Sequence, residues 1–479
     1  MSFRVVFLLI ALAITVPTVG SNAADDPSDA RLFPRPASLE PQIRFWKNIF
    51  TKYSEHQVLV HDAYDLDKVY AVLDFRPNFD DGMSAGQVDR IRQVDTDLAV
   101  ERVRATLLRL HETGARPELL TAEERKIADM FANDRASDRF LAAADDKRLR
   151  TQRGLREHFA EAIRVSRRYL PEMERLFREE GLPVELTRLP LIESCFNLNA
   201  YSKVGAAGIW QFMPSTGRRF MRIDNIVDER RDPFSSTRAA AQYLGMLHDA
   251  LDTWPLAITA YNHGPQGIGR AVDEIGTMDI ATIVRDYRGP SFGFASRNFY
   301  VEFLAALEVE RDHHTHFPEI GPQPPLRLRE HRLDRALSIQ AAARVARTDR
   351  EELASLNPAL SNLVLTGRRP IPAGYRLRLP EEGSGFAVRL AEAPAEPQVE
   401  RVAARTVERV AVRTGGRKTA RATRTAFVTH RVKRGQTLSH IAKQHGVSVA
   451  SLRKVNRMRT TTRVKAGQTL KVPVSANAA

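Results

Sequence analysis

The stretch Leu191-Ile-Glu-Ser-Cys-Phe-Asn-Leu-Asn-Ala200, followed at once by Gly205-Ala-Ala-Gly-Ile-Trp-Gln-Phe-Met-Pro214, decides how the chain is read. It sets one carboxyl, Glu193, at the end of an apolar helical segment whose flanks Leu189, Leu191, Ile192 and Phe196 can strip it of water. Desolvation disfavours the charged form, and complete burial raises a carboxyl pKa by up to ~3–5. A carboxyl that keeps its proton at neutral pH can serve as a general acid. Gly205 and Gly208 let the backbone turn tightly and approach a ligand closely. Downstream stands a third block, Ala260-Tyr-Asn-His-Gly264.

Taken in order, Glu193-Ser194, Gly205–Gly217 and Ala260–Gly264 make residues 182–315 similar to the catalytic domain of the soluble-type lytic transglycosylases, lysozyme-like lyases of peptidoglycan. The subfamily it resembles is that of membrane-bound lytic murein transglycosylase D. A turn that needs glycine does not also need Gln-Phe-Met-Pro and a downstream Ala-Tyr-Asn, so the combination is far more specific than any one block. The resemblance implies a goose-type lysozyme-like fold and a single catalytic carboxyl. Glu193 would protonate the oxygen of the MurNAc-GlcNAc β-1,4 bond, then accept the proton of the muramoyl C6 hydroxyl as that hydroxyl attacks the anomeric carbon. A 1,6-anhydro-MurNAc end forms without water.

By the same resemblance Ser194, Gly208, Gln211, Phe212, Met213, Tyr261, Asn262 and Tyr300 bind substrate. The Gln211 amide fixes an acetamido group, Phe212 and Met213 carry a sugar face, and Asn262 orients the reacting sugar. Met213 reads equally well as plain core. Tyr300 stands for the family tyrosine that touches the catalytic glutamate. No cofactor and no metal is implied. The fourth block departs from the family pattern: the acidic residue expected before Tyr-Val is absent at Ala295-Ser296, and the nearby Glu302 reads as a solvated helix position. Two other classes remain open. A water-using muramidase needs a second carboxylate, which the three blocks do not supply, and a decayed domain would leave a glycan-binding protein.

The rest of the chain gives this site a setting. Arg4, the apolar run Val5–Val19 and the small-residue pattern Ser21-Asn22-Ala23 read as a secretory signal peptide over residues 1–23. The apolar run is short of the ~20 residues that span a bilayer. The expectation is export to the periplasm of a Gram-negative-type bacterium, in association with the wall or envelope. The only cysteine, Cys195, lies far from that segment, so the protein does not read as a lipoprotein. Cys195 reads as a buried small residue beside the site.

The net charge of +14 sits in the tail: residues 401–479 hold 19 Lys and Arg against one acid, Glu408, leaving −4 for residues 1–400. Such a tail suits an anionic wall or envelope surface, and no base-reading motif accompanies it, which argues against nucleic acid. Oligomeric state is not legible.

The fold class expected is predominantly α, with helical support before the catalytic domain and small βααβ modules at the C-terminus. Three- and four-residue apolar spacing marks helices within residues 99–110, 155–165, 236–251 and 299–310. Gln57–His61 and Val69–Leu73 suit either strands or helix turns. At residues 428–474, His430–Leu438 and Ala466–Pro473 bracket two short helical patterns, resembling a LysM module, which binds GlcNAc-containing glycan. A diverged copy occupies residues 330–380: His331 aligns with His430 and Leu356-Asn357 with Val455-Asn456 at an offset of 99, and Ala373–Pro380 with Ala466–Pro473 at 93. It lacks the Gly-Gln-Thr-Leu entry, which suits a spacer. Residues 381–427, interrupted by prolines and rich in arginine, read as a flexible basic linker.

Overall fold

The computed structural model describes residues 31–381 and 385–392 without interruption and, beyond them, residues 426–432, 436–445, 449–456, 467–474 and a few single positions between. The expected signal segment and the arginine-rich part of the expected linker lie outside the described residues. The chain divides into two compact units, one ending at Glu396 and the other beginning at Pro397.

In the first unit, α1 (Glu40–Thr51) buries Ile43, Phe45, Trp46, Ile49 and Phe50 in the main core. Three antiparallel strands follow, β1 (Gln57–Asp62), β2 (Val69–Asp74) and β3 (Leu149–Arg153), in the order β2-β1-β3. The ambiguity of the two apolar runs therefore resolves to strands, and the third strand had no periodic signal to announce it. β1 is buried from Val58 to Asp62 because it is covered on both faces: Leu59 enters the main core, while Val60 enters a second core with Leu107 and Phe131. A strand covered on both sides shows a continuous apolar run in place of alternation. Between β2 and β3 runs α2 (Ala85–Glu112), started by a Ser84–Gln87 capping box.

The half that carries the three sequence blocks is helical. It comprises α3 (Arg156–Ser166), α4 (Leu170–Glu179), the short α5 (Leu189–Ser194), α6 (Pro233–Leu251), α7 (Trp254–His263), α8 (Pro265–Ile275), α9 (Ile280–Asp286) and α10 (Phe294–Arg311). The four stretches with helical spacing fall inside these helices and α2, save Leu155, which stands one residue before α3. Proline at a first or second helical position opens five of them and α1, where its missing N–H is no loss. α10 packs against both α1 and α5, so one long helix joins the N-terminal support to the segment bearing Glu193.

Residues 328–380 form the diverged module: β4 (Leu328–Arg332), α11 (Ile339–Ala346), α12 (Arg350–Leu356) and β5 (Arg376–Pro380), with His331 opposite Leu377. α13 (Phe386–Glu392) follows and buries Phe386 and Leu390 in the module's core, so the stretch expected as linker from residue 381 begins with a packed helix.

In the second unit, β6 (Ala426–Arg431), α14 (Leu438–Gln444), α15 (Val449–Val455) and β7 (Thr469–Val474) repeat the pattern, with His430 opposite Leu470. One clasp is shared. The Asn357 amide nitrogen donates to the carbonyls of Leu353 and Arg378, and its oxygen accepts from the Arg378 N–H. Asn456 does the same with Leu452 and Lys471. Among the described residues no helix is long and apolar enough to cross a membrane.

Candidate active site

α5 has Pro190 at its second position, buries Leu189, Pro190 and Leu191, and ends just beyond Glu193. Cys195 and Phe196 both stand in the left-handed region, at φ 46° and 50°. Two such residues in succession cost about 1–3 kcal/mol each. They are held by the Phe196 N–H donating to the Pro190 carbonyl at 3.0 Å and by the Ser194 hydroxyl donating to the Ile209 carbonyl at 2.9 Å. The helix is thereby stopped with Glu193 in its last turn.

Glu193 is half-buried, keeping solvent access at one side, and burial pushes its carboxyl up from the usual 4.5 to about 8. Among the described residues no lysine or arginine pairs with it. At pH 7 such a group is about 90% protonated, whereas an ordinary glutamate is protonated in only about 0.3% of molecules.

The loop from Tyr201 to Met213 is fixed by close backbone contact. Ala207 bridges both Tyr201 and Phe212. Gly208, at φ +76°, lies so close to the Arg230 carbonyl that a Cβ there would sit 1.7 Å from its oxygen. Beneath the loop Trp210 is fully buried, stacked on Phe177 with ring centroids 5.8 Å apart, and donates its indole N–H to Thr237 at 2.9 Å. The Tyr261 hydroxyl donates to the Trp210 carbonyl at 2.8 Å, and its pKa is raised by burial and by the charge of Glu193. α7 thus ties the loop to the neighbourhood of the acid.

The sequence-predicted residues divide accordingly. Glu193 and Tyr261 are brought together electrostatically. Met213, 40% exposed, and Asn262, which accepts a hydrogen bond from Ser296 at 3.1 Å, reach the surface. Gln211 adopts φ 47° and donates from its amide to the Gly208 carbonyl at 2.7 Å. Ser194 anchors the loop to α5 through the bond already described.

Two roles differ from expectation. Phe212 is buried, packed on Tyr243 and Tyr261, so it supports the loop from below and offers no face to a sugar. Tyr300 is buried with its hydroxyl donating to the Pro34 carbonyl at 2.8 Å, and the tyrosine that feels the Glu193 charge is Tyr261.

Glu302 was misjudged by sequence reasoning. It lies on α10, which packs on α5, with its helical neighbours Asn298, Phe299, Ala305 and Ala306 all buried. Burial first, and the Glu193 charge second, push its carboxyl to about 8. Each charge opposes the ionisation of the other, so the two carboxyls titrate as a coupled pair. The signal was a lone charge inside Phe299-Tyr-Val-Glu-Phe-Leu-Ala-Ala306. Cys195 belongs to the same cluster, its thiol pushed to about 11 by burial and by Glu302. A separate cavity of about 240 Å³, between Tyr64 and Arg297, has no carboxyl among its lining residues and so offers no general acid.

A helical domain with a desolvated carboxyl on a short helix against a glycine-bearing loop matches the family model of the Transglycosylase SLT domain over residues 174–284, and the C-terminal unit matches the LysM domain over residues 430–473. The chain is similar to membrane-bound lytic murein transglycosylase D of Escherichia coli (strain K12), with 26% identity over 306 residues, 63% of this chain and 62% of the relative. The match thus spans a little under two thirds of that relative's length. A protein of Alteromonas sp. (strain M-1) named for tributyltin chloride resistance is 41% identical over 99 residues, 20% of this chain and 48% of its own. Among solved structures, the 70 kDa soluble lytic transglycosylase of Escherichia coli aligns at 15% identity and TM-score 0.27, covering 63% of this chain and 56% of that one.

Proposed function

We propose that the protein is a peptidoglycan lytic transglycosylase that cleaves the MurNAc-GlcNAc β-1,4 bond and leaves 1,6-anhydro-MurNAc ends, exported to the periplasm and held on glycan strands by its C-terminal LysM domain. The observation that carries the reading is Glu193, half-buried within the residues matched by the family model, where burial pushes its carboxyl up to about 8. As an acid it gives its proton to the glycosidic oxygen as the bond to the anomeric carbon breaks. The resulting carboxylate takes the proton of the C6 hydroxyl while the oxygen of that hydroxyl closes on the same carbon. Every atom and charge is accounted for without water.

Glu302 also favours the hydrolytic alternative, since it is a second carboxyl beside the first. It is the wrong species for that task, because a group pushed to about 8 is mostly neutral at pH 7 and a poor base for activating water. Mass spectrometry of sacculi digested by the wild type and by Glu193→Gln tests the proposal. Anhydro ends from the wild type and none from the variant support it; reducing ends would assign hydrolysis, and undiminished cleavage by the variant would remove Glu193 from the chemistry.

A further inference from the structure

The diverged module does not stand apart from the catalytic domain. Within the first unit, Val227 is fully buried in the module's own core beside Leu333, Ile371 and Tyr375. Val227 forms a β-bridge with Leu360, the Asp228 N–H donates to the Ala359 carbonyl at 2.8 Å, and the Ser361 N–H donates to the Ile226 carbonyl at 2.9 Å. From the module's last strand, Arg378 pairs with Asp232, whose carboxylate also caps the start of α6, and lies over the Phe234 ring at 5.1 Å.

The segment so gripped carries Arg230, which is 2% exposed. One guanidinium nitrogen donates to the carbonyls of Gly205 and Phe212, at 2.7 and 3.0 Å, and the other two hold the Asp228 carboxylate at 2.9 and 2.7 Å. The two ends of the Gly205–Phe212 loop are thus tied to one side chain. That side chain is braced by Asp228, the residue whose N–H is bound to the module.

We infer that Arg230 is a positioning residue through which the docked module at residues 328–380 holds the Gly205–Met213 loop in its working shape. The module acts as a buttress of the cleft, a role distinct from binding glycan itself. The inference rests on the proposed reading of that loop as substrate-lining, and its test separates the two.

Ser361→Pro is the sharpest perturbation. Ser361 sits at φ −74°, which proline adopts freely, and its hydroxyl has no partner, so the change removes little except the N–H that docks on Ile226. Loss of one such bond is expected to speed amide exchange across residues 205–213 about fivefold and to lower kcat/KM by a similar factor on a short soluble glycan. A glycan-binding module would instead leave the short substrate untouched and weaken retention on intact sacculi.

Arg230→Lys is the second variant, because a single ammonium cannot serve two carbonyls and a carboxylate together. It is expected to speed exchange in the same loop while leaving residues 328–380 as protected as before. Unchanged exchange at residues 205–213 in both variants, with turnover of the short glycan intact, overturns the inference. If the wild type cleaves no glycan at all, the functional reading falls, whereas the exchange result still decides whether module and loop are coupled.

Discussion

Replacing Glu302 with Gln removes a proton that the folded chain grips more tightly than the unfolded one. In the fold the carboxyl holds its proton up to about 8; once unfolded, it ionises near the usual 4.5. Between these values the unfolded state has released a proton that the native state retains, so native stability falls as pH rises. Below 4.5 both states are protonated and the penalty vanishes; above 8 both are ionised and it stays constant. Each pH step through the window is worth 1.36 kcal/mol, which makes the penalty at pH 7 about 3 kcal/mol.

Glutamine has nearly the same shape and no proton to release, so Glu302→Gln escapes that penalty. At about 2–4 °C per kcal/mol for a domain of this size, its Tm should exceed the wild type's by roughly 6–12 °C at pH 7, and the two should melt together at pH 4. Circular-dichroism melts at fixed ionic strength across pH 4 to 8.5 provide the measurement. An equal shift at pH 4 and pH 7, or none at either, would refute the account of Glu302 as a desolvated, protonated group.

The same ionisation scheme governs rate: glycan cleavage should hold steady up to about pH 8 and then fall tenfold per pH unit, with about a tenth remaining at pH 9, as a pH series of kcat/KM will show. Gly208→Ala forces a Cβ onto the Arg230 carbonyl at a positive φ and should cost more than about 3 kcal/mol in urea unfolding, or abolish soluble expression. Asn357→Ala strands buried backbone groups of Leu353 and Arg378 and should lower the stability of the first unit by about 2–3 kcal/mol, a loss read by the same unfolding curves.

Much of the site was legible because its chemistry is local in sequence. An apolar run ending in Glu193 and a glycine turn beyond it point to a desolvated acid whatever the surroundings, and the structure adds only the left-handed pair Cys195-Phe196 that stops the helix there. The offsets of 99 and 93 have a structural counterpart, since Asn357 and Asn456 make the same three bonds.

What escaped depends on distant packing. Phe212 and Tyr300 carry motif positions, but whether an aromatic faces a groove or a core is set by partners such as Tyr243 and Pro34, far along the chain. Glu302 looked solvated because helical spacing cannot tell that α10 is covered on nearly every side. Arg230 left no trace at all, since its task is to hold carbonyls, and carbonyls have no signature in a list of side chains.

The solitary thiol of Cys195 offers a native probe of this cleft. Half-buried and with its pKa lifted to about 11, it presents little thiolate to a disulfide reagent at pH 7, so its labelling is slow. Because the sequence contains no other cysteine, the labelling rate of the unaltered protein reports on this one position, and a bound glycan strand that covers it would register as silence.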